Sequence, residues 1–358
     1  MRRENKNKTI VLIVILLFSI VLTLPGCDSS KSISSSQSSK TTTSSTSNNT
    51  SSTTQVATVS TTITVGNGPA GIAYDSGKGE MFVANHDDST VSVISDSTNT
   101  VVATVKVGTW PTRLAYDSGR DEVYVVSNVG GSVSVISDKT NTVVATVTGL
   151  TASPNDIVYD SGKNELFVAE SHGAVDVISD SNNLIVKTLI TKGAGTVIIY
   201  DAAKGELFTP GDGQNIFAIS DSTYDVTTIP LNSYPGPLAY DPAKRQVFVS
   251  LPVGETLVSG FAVISDSNNT VTKTVTTSHA GYFACNSAKG EMYTETDNNT
   301  ITVITDSGTG KVVANLALPS HENIGPMAYD TNEGKLFIIN TISNAPSVNT
   351  VSVVTPSS

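Results

Sequence analysis

The histidines are the residues of this 358-residue chain whose chemistry is easiest to assign. All four lie in short polar stretches, and several have acidic neighbours. The residues concerned are His86, Asp87, Asp88, His172, His279, His321 and Glu322. Imidazole and carboxylate groups together can coordinate a divalent metal, with His86, His279 and His321 as the metal-ligand candidates. No His-x-x-x-His spacing supports such a site, so these residues can equally be ordinary polar residues of exposed loops.

A second candidate lies in the stretch GTWPTR, residues 108 to 113. It contains Trp110, the only tryptophan of the chain, and Arg113. Tryptophan and arginine often anchor contacts with a partner. The alternative is that Trp110 covers an edge of the scaffold.

The common catalytic signatures are missing from the sequence. It contains no Cys-x-x-Cys-His, Gly-x-Ser-x-Gly or His-Glu-x-x-His motif, which disfavours covalent haem, a hydrolase nucleophile and a zinc protease. The segment SGTGK, residues 307 to 311, lacks the spacing of a phosphate-binding loop. We therefore expect no cofactor.

The elements that must position these residues are repeated along the chain. Seven copies align on a Tyr-Asp pair at intervals of 40 to 45 residues. The aligned positions are Tyr74, Tyr116, Tyr159, Tyr200, Tyr240, Cys285 and Tyr329. Each copy has four short runs rich in Val, Ile, Thr, Tyr and Phe, separated by turn residues, and this pattern predicts four antiparallel strands. Seven such units predict an all-β fold, a seven-bladed β-propeller.

The two ends of the domain indicate how the ring closes. The seventh copy stops after its third strand, and the segment VSTTITVG, residues 59 to 66, matches the fourth strand VVATVKVG at 101 to 108. The N-terminal strand is therefore predicted to complete the last blade, beside residues 351 to 354. An open solenoid would instead be expected to have polar caps at its ends.

The strand order divides the loops between two rims. Turns such as DSGKGE (75–80) and DSTN (96–99) are nearly the same in every copy and lie on one side, which we call the constant rim. The loops between second and third strands, and between successive blades, form the variable rim. All the candidate residues above fall there, where loops of differing sequence stand on a rigid scaffold. His279, His321 and His86 belong to the consecutive blades 6, 7 and 1, so we expect them to approach one another.

The repeats resemble a known family, the YVTN-type β-propeller of surface-layer and exported proteins. The naming quartet appears in altered form at residues 82–85, 124–127, 167–170 and 337–340. The resemblance covers residues 59 to 354, and copies four and six depart from it most. It implies a seven-bladed ring similar to WD40 propellers and says little about a ligand.

The N-terminal residues have a different composition. Residues 1–26 combine a basic start with an apolar run, which predicts a signal peptide. The quartet LPGC (24–27) resembles the lipobox of bacterial lipoproteins, which implies lipidation of Cys27; an ordinary cleaved signal is the alternative. Residues 27–54 are rich in Ser and Thr and predict a disordered tether. Residues 55–358 then form the propeller.

The net charge and the glycosylation sequons limit the kinds of partner that the chain can have. The net charge is −11, and it becomes −14 without residues 1–26, which carry four basic groups and one acidic group. Nucleic acid and anionic lipid surfaces are therefore poor partners. After the predicted signal peptide, four asparagines stand in N-glycosylation contexts, although chance explains them equally well. They are Asn48, Asn49, Asn268 and Asn298.

These features together predict an exported protein attached to the membrane through a lipid on Cys27. It would face the cell exterior or a periplasm and act as a binding or structural scaffold for an envelope or extracellular protein or glycan. The alternative function is a metal-assisted lyase or lactonase that uses the variable rim. The sequence leaves the oligomeric state open.

Overall fold

A computed structural model describes residues 58–191, 193, 195–251, 259–277, 279–296, 300–305, 312–318, 323–341 and 349–355. In this part of the chain, 28 strands form seven four-stranded antiparallel sheets arranged as the blades of a propeller. The predicted fold class is confirmed. No helix within these ranges is long and apolar enough to cross a membrane. The signal peptide, the tether, Cys27, Asn48, Asn49, Asn298, His321 and Glu322 lie outside the described residues.

The first three blades follow the chain without interruption after an opening strand, β1 (Thr58–Thr64). Blade 1 contains β2 (Pro69–Asp75), β3 (Glu80–Asn85), β4 (Thr90–Ser95) and β5 (Thr100–Lys106). Blade 2 contains β6 (Pro111–Asp117), β7 (Glu122–Ser127), β8 (Ser132–Ser137) and β9 (Thr142–Val147). Blade 3 contains β10 (Pro154–Asp160), β11 (Glu165–Glu170), β12 (Ala174–Ser179) and β13 (Leu184–Ile190), with a short 3-10 turn at Ser171–Gly173.

The remaining blades repeat this order. Blade 4 contains β14 (Ile199–Asp201), β15 (Glu206–Pro210), β16 (Asn215–Ser220) and β17 (Val226–Pro230). Blade 5 contains β18 (Leu238–Asp241), β19 (Gln246–Leu251), β20 (Gly260–Ser265) and β21 (Thr270–Thr276). Blade 6 contains β22 (Phe283–Asn286), β23 (Glu291–Thr296), β24 (Thr300–Thr305) and β25 (Val312–Ala317). Blade 7 contains β26 (Asn323–Asp330), β27 (Lys335–Thr341) and β28 (Thr350–Thr355), and β1 is its fourth strand.

The ring closes as the sequence predicts. β1 pairs antiparallel with β28, with Val59 opposite Val354 and Ile63 opposite Val351. On the constant rim, the Nζ of Lys335 in blade 7 also donates to the main-chain oxygen of Asp96 in blade 1, at 2.9 Å. The first and last strands of the domain are therefore neighbours, and their pairing completes the sheet of blade 7.

The apolar core lies between adjacent blades. One cluster, for example, joins Ile63 and Phe337 of blade 7 to Met81 and Val83 of blade 1. In blade 1 the second strand is the most buried, since every residue of β3 is buried. The inner strand β2 is partly buried, and its two faces pack against different neighbours. Ile72 and Tyr74 contact the cluster shared with blade 7, and Ala73 contacts the cluster shared with blade 2.

The constant rim ties each blade to the next with polar groups. The hydroxyl of Tyr240 donates to Asp266 of its own blade at 3.1 Å and also lies against Asp201 of the preceding blade. Lys204, in the turn of blade 4, donates to the main-chain oxygen of Asp266 in blade 5 at 2.6 Å. The repeated turn sequence therefore has a structural role at the junction between blades.

Candidate functional site

The clearest feature of the variable rim is an aromatic pair at the junction of blades 1 and 2. The rings of His86 and Trp110 lie with their centroids 4.7 Å apart and their planes at 30°. Trp110 remains 46% exposed. The Nδ1 of His86 is 2.6 Å from Oδ1 of Asp87, which fixes the orientation of the imidazole. Two of the predicted site residues, His86 and Trp110, are therefore in contact, and part of the Trp110 ring is exposed to solvent.

The backbone holds Trp110 in an unusual conformation. Its φ is +59°, in the left-handed region that bulky side chains rarely adopt. The equivalent position of blade 1, also followed by proline, is occupied by Gly68 at φ +65°. Blade 2 therefore places the largest side chain at a position where blade 1 has none, and the backbone conformation carries a strain that glycine would avoid.

Neighbouring groups support this pair. Asn128 donates its main-chain N–H to the oxygen of Trp110 at 2.9 Å, and Gly130 donates to Thr109 at 3.0 Å. Between them, Val129 is 57% exposed. Trp110 and Val129 therefore present apolar surface from two loops that are hydrogen-bonded to each other.

Asp88, one of the two acidic candidates beside His86, stabilises the loop that contains it. Asp88 accepts hydrogen bonds from the main-chain N–H of Asn67 at 2.7 Å and from its side-chain amide at 2.8 Å. These bonds lower the pKa of the Asp88 carboxyl. Asp88 therefore stays a carboxylate and joins the loop of residues 86–89 to the connection that enters blade 1.

Arg113 reaches across the mouth of the central channel. Its Nη1 donates to the main-chain oxygens of Ala70, in blade 1, and Thr112, the latter at 3.1 Å. Its Cζ lies 5.9 Å from the ring centroid of Tyr282, which precedes the inner strand of blade 6. Blades 2 and 6 are not adjacent, so this contact spans the channel.

The space for Arg113 comes from a glycine. Counting back from each aligned Tyr, Arg113 has the same position as Gly71, Asp156 and Tyr282. A Cβ on Gly71 would lie 2.1 Å from the main-chain oxygen of Thr112. The absence of that side chain lets the inner strands of blades 1 and 2 approach closely, and the arginine can lie over blade 1.

His279 lies near one carboxylate of its own blade. Its Nε2 is 3.8 Å from Oε2 of Glu295, at the end of β23. Burial raises the pKa of Glu295 to about 7. This oxygen also faces Gly281, where a Cβ would be 2.4 Å away. The His279 imidazole and the Glu295 carboxyl therefore lie beside Gly281, which precedes Tyr282 in the chain.

His172 occupies the 3-10 turn of blade 3 with φ +66°. It lies in the chain between the two members of an unexpected pair, Glu170 and Asp176, both fully buried. Burial, together with the hydrogen bond to Asp176, raises the pKa of Glu170 to about 8. The repeats contain a signal for this pair, because the same two positions in blade 1 are Asn85 and Ser92, an amide and a hydroxyl 3.0 Å apart.

The channel also contains a cavity of about 520 Å³ on the side of the aligned tyrosines. It is lined mainly by apolar atoms of inner-strand residues in blades 2 to 5, among them Leu114, Ile157 and Tyr159. None of the predicted site residues lines it. We therefore place the candidate site on the variable rim and not in this cavity.

The predicted metal site stays a prediction. His86 faces Trp110 and Asp87, whereas His279 faces Glu295. His321 lies outside the described residues. Within those residues, no group of three His, Cys, Asp or Glu side chains could hold a metal ion. The sequon residue Asn268 is exposed on the constant rim, where its side chain accepts a hydrogen bond from Thr270 at 2.7 Å.

Comparison with known proteins supports the fold. No protein-family model matches the chain, and no curated protein sequence matches it either. Among solved structures, hydrazine synthase of Kuenenia stuttgartiensis aligns with a TM-score of 0.68 and 16% identity, over 81% of this chain and 96% of that one. A structure of U3-55K aligns with a TM-score of 0.68 and 11% identity, over the same shares. At these identities the similarity establishes a β-propeller and nothing about activity.

Proposed function

We propose that this protein is a binding scaffold of the cell envelope whose variable rim holds a protein or glycan partner. The observation that carries the proposal is Trp110, which is half exposed, stacked on His86 and held at a positive φ. Strained backbone conformations persist where the surrounding structure imposes them, and they cluster at functional sites. A tryptophan that only filled space would not need this conformation at a position where glycine serves in blade 1.

The surroundings of Trp110 suit a partner with a flat apolar face. The indole is oriented by His86, whose own ring is held by Asp87. Val129 adds exposed apolar surface beside it. A rigid aromatic ring loses little conformational entropy on binding, which is why such rings dominate many interfaces. The rest of the ring supports this surface.

The N-terminal sequence supplies the location in this proposal. A signal peptide at residues 1–26 and a lipid on Cys27 would anchor the chain to a membrane, and the Ser/Thr-rich residues 27–54 would separate the propeller from it. The repeats resemble the YVTN type, which fits an exported surface protein. Expression of Cys27→Ser tests the anchor: the protein should leave the detergent phase and lose the mass of the lipid. An unchanged mass and partition would contradict lipidation.

The binding role is tested with Trp110→Ala in the full chain. Because Trp110 is the only tryptophan, its fluorescence reports directly on the rim while native envelope glycan and protein fractions are added. We expect a fluorescence change with one fraction in the wild type, and loss of retention of that fraction by Trp110→Ala in a pull-down.

Leu184→Ala provides the matched control for this experiment. Leu184 is equally apolar and 60% exposed, but it begins the outer strand of blade 3, away from the variable rim. Retention should be unchanged in this variant. Equal retention by wild type, Trp110→Ala and Leu184→Ala would refute the proposed role of the rim.

A further inference from the structure

Arg113 carries a positive charge into the channel mouth without an ion-pair partner among the described residues. Its two printed hydrogen bonds, to the main-chain oxygens of Ala70 and Thr112, both use Nη1. Within the same part of the chain, Nε and Nη2 have no hydrogen-bond partner. A guanidinium has five N–H donors in a fixed fork, so the fork that recognises a carboxylate is still available.

The acid at the equivalent position of the next blade does not form an ion pair with Arg113. Asp156 occupies the same place in blade 3, but its Oδ1 accepts the main-chain N–H of Ile157 at 2.9 Å and its Oδ2 that of Ile198 at 3.0 Å. Burial raises the pKa of this carboxyl, and the charge of Arg113 only partly opposes the effect. Asp156 thus stabilises the contact between blades 3 and 4 and leaves Arg113 unpaired.

The other side of the channel mouth adds an aromatic surface. Tyr282 faces the guanidinium at 5.9 Å, a distance at which a cation and a ring still attract each other. Glu295, whose carboxyl lies beside Gly281, has a pKa raised to about 7 because of its burial, so part of the population is uncharged at neutral pH. The mouth therefore presents one cation between an aromatic ring and main-chain oxygens.

Trp110 and Arg113 belong to one site. They are three residues apart where the chain enters the inner strand of blade 2, so their Cα atoms lie at most about 11 Å apart. A ligand that stacks on Trp110 at the rim can therefore place a second group at Arg113 in the channel mouth. The spacing suits an oligosaccharide of a few residues, with a sugar face on the indole and an acidic group on a later residue.

We propose that the variable rim binds an acidic glycan, with a sugar face stacked on Trp110 and a uronate carboxylate held by the free fork of Arg113. This inference rests on the proposed function and specifies its ligand. A carboxylate fits better than a phosphate, because one guanidinium matches a single negative charge and no second cation of the described residues contacts Arg113. The net charge of −11 also opposes densely charged polyanions.

The test uses the full chain and two defined probes, trigalacturonic acid and its carboxyl-reduced, neutral counterpart. Binding is followed by Trp110 fluorescence at low salt. We expect the wild type to bind the acidic trisaccharide at least about tenfold more tightly, since a charge-assisted bidentate pair contributes an effect of that size. The preference should shrink as salt is added.

Arg113→Gln should bind both probes with the affinity that the wild type has for the neutral one. Arg113→Lys keeps the charge without the fork, so it should retain only part of the preference; it also serves if Arg113→Gln fails to fold. Trp110→Ala, followed by calorimetry, should lose both probes. This pattern would separate the stacking contact from the carboxylate contact.

Three results would overturn the inference. If the wild type binds both probes equally, the carboxylate contact is absent, although the rim still binds sugar. If neither probe binds while Trp110→Ala still loses the native partner, the ligand is not an acidic glycan and the proposed function stands. If a polyglutamate peptide competes with the affinity of the trisaccharide, the site recognises acidic peptides instead. If none of the rim variants loses the native partner, the proposed function itself is refuted.

Discussion

The two rims of the ring use polar residues in opposite ways. On the constant rim, an Asp such as Asp75 accepts N–H groups of its own turn, from Gly77 at 2.8 Å and Lys78 at 3.0 Å. The tyrosine of the next blade, Tyr116, lies against the same carboxyl. These contacts recur in most blades, so their residues follow the repeat and stabilise the ring.

On the variable rim, the corresponding positions differ from blade to blade. Gly68 of blade 1 is replaced by Trp110 in blade 2, and Asn85 of blade 1 by Glu170 in blade 3. Each replacement introduces a backbone strain or a buried acid that the repeat does not need. The comparison teaches that function is best sought where a blade departs from its own repeat at a structural disadvantage.

Glu170 should give the largest effect on stability. Its pKa is about 8 in the folded chain because of burial and Asp176, against an ordinary value near 4.3. The folded state therefore binds this proton more tightly than the unfolded state. The contribution of Glu170 to the free energy of unfolding is therefore greatest below its ordinary pKa, and it falls as the pH rises towards 8. Glu170→Gln should remove this decline and be more stable than the wild type at pH 8.5, by about 3 kcal/mol.

Urea unfolding of wild type and Glu170→Gln at pH 4.5 and pH 8.5 checks this prediction. Asp88→Asn is a control from the same rim, since the pKa of Asp88 is lowered by Asn67 and its contribution has the opposite sign. Parallel pH profiles for wild type and Glu170→Gln would show that the Glu170 and Asp176 pair is compensated in some other way.

Asp75 tests the constant rim. Asp75→Ala leaves two turn N–H groups without their acceptor and should lower the free energy of unfolding by about 2 kcal/mol. Asp75→Asn keeps the acceptor and removes one charge beside Asp138, whose pKa is raised to about 6 by burial and then by Asp75. At pH 7 this variant should be at least as stable as the wild type. Blade 6 already uses this solution, because Asn286 donates to Tyr329 at 2.9 Å.

Chemical denaturation followed by circular dichroism measures both Asp75 variants. Binding at the variable rim should be unchanged in either, provided the protein is folded. If Asp75→Asn is as unstable as Asp75→Ala, the two carboxyls stabilise the junction together and the description of the constant rim needs revision.

The sequence was sufficient for the fold and insufficient for the contacts within the site. Alternation and turn residues recur in every copy, so local patterns determined the number of blades and the pairing of β1 with β28. They also placed Trp110, His86 and Arg113 on one rim. They could not show that Arg113 meets Tyr282, because that contact depends on the radius of the ring and not on any local spacing.

The buried pair of blade 3 was missed for a different reason. Glu170 stands at the fourth position of the naming quartet, where it was taken as part of the repeat, and Asp176 lies two residues into the next strand. Comparison with Asn85 and Ser92 would have shown that two acids replace an amide and a hydroxyl. Burial of both carboxyls, however, becomes evident only once the strands are packed.

Trp110 provides a smaller test, which separates strain from binding. Trp110→Ala and Trp110→Gly both remove the stacking on His86, but only glycine also relieves the positive φ. Trp110→Gly should therefore be more stable than Trp110→Ala by about 1 kcal/mol, and both should fail to bind. Thermal unfolding measures the difference. Equal stability of the two variants would mean that the backbone leaves the left-handed region once the indole is removed.

The smallest effect is expected where the constant rim departs from its own repeat. Cys285 replaces the aligned tyrosine in blade 6; it is partly buried, as the aligned tyrosines of the other blades are, and its Sγ is 3.3 Å from the Oγ of Ser287. In other blades the aligned tyrosine hydroxyl lies against the Asp of the preceding blade, as Tyr116 does against Asp75 and Tyr240 against Asp201; in blade 5 that Asp is Asp241. Cys285→Tyr would place a hydroxyl where the other blades have one beside this carboxyl.

We compare Cys285→Tyr with Cys285→Phe, which has nearly the same size and no hydroxyl. The difference between them isolates the interaction with Asp241, and we expect tyrosine to be more stable by about 0.5 kcal/mol. Urea unfolding of the two variants at pH 7 gives this difference. A more stable Phe variant would show that the junction between blades 5 and 6 disfavours a polar group. In that case, blade 6 departs from the repeat for a packing reason.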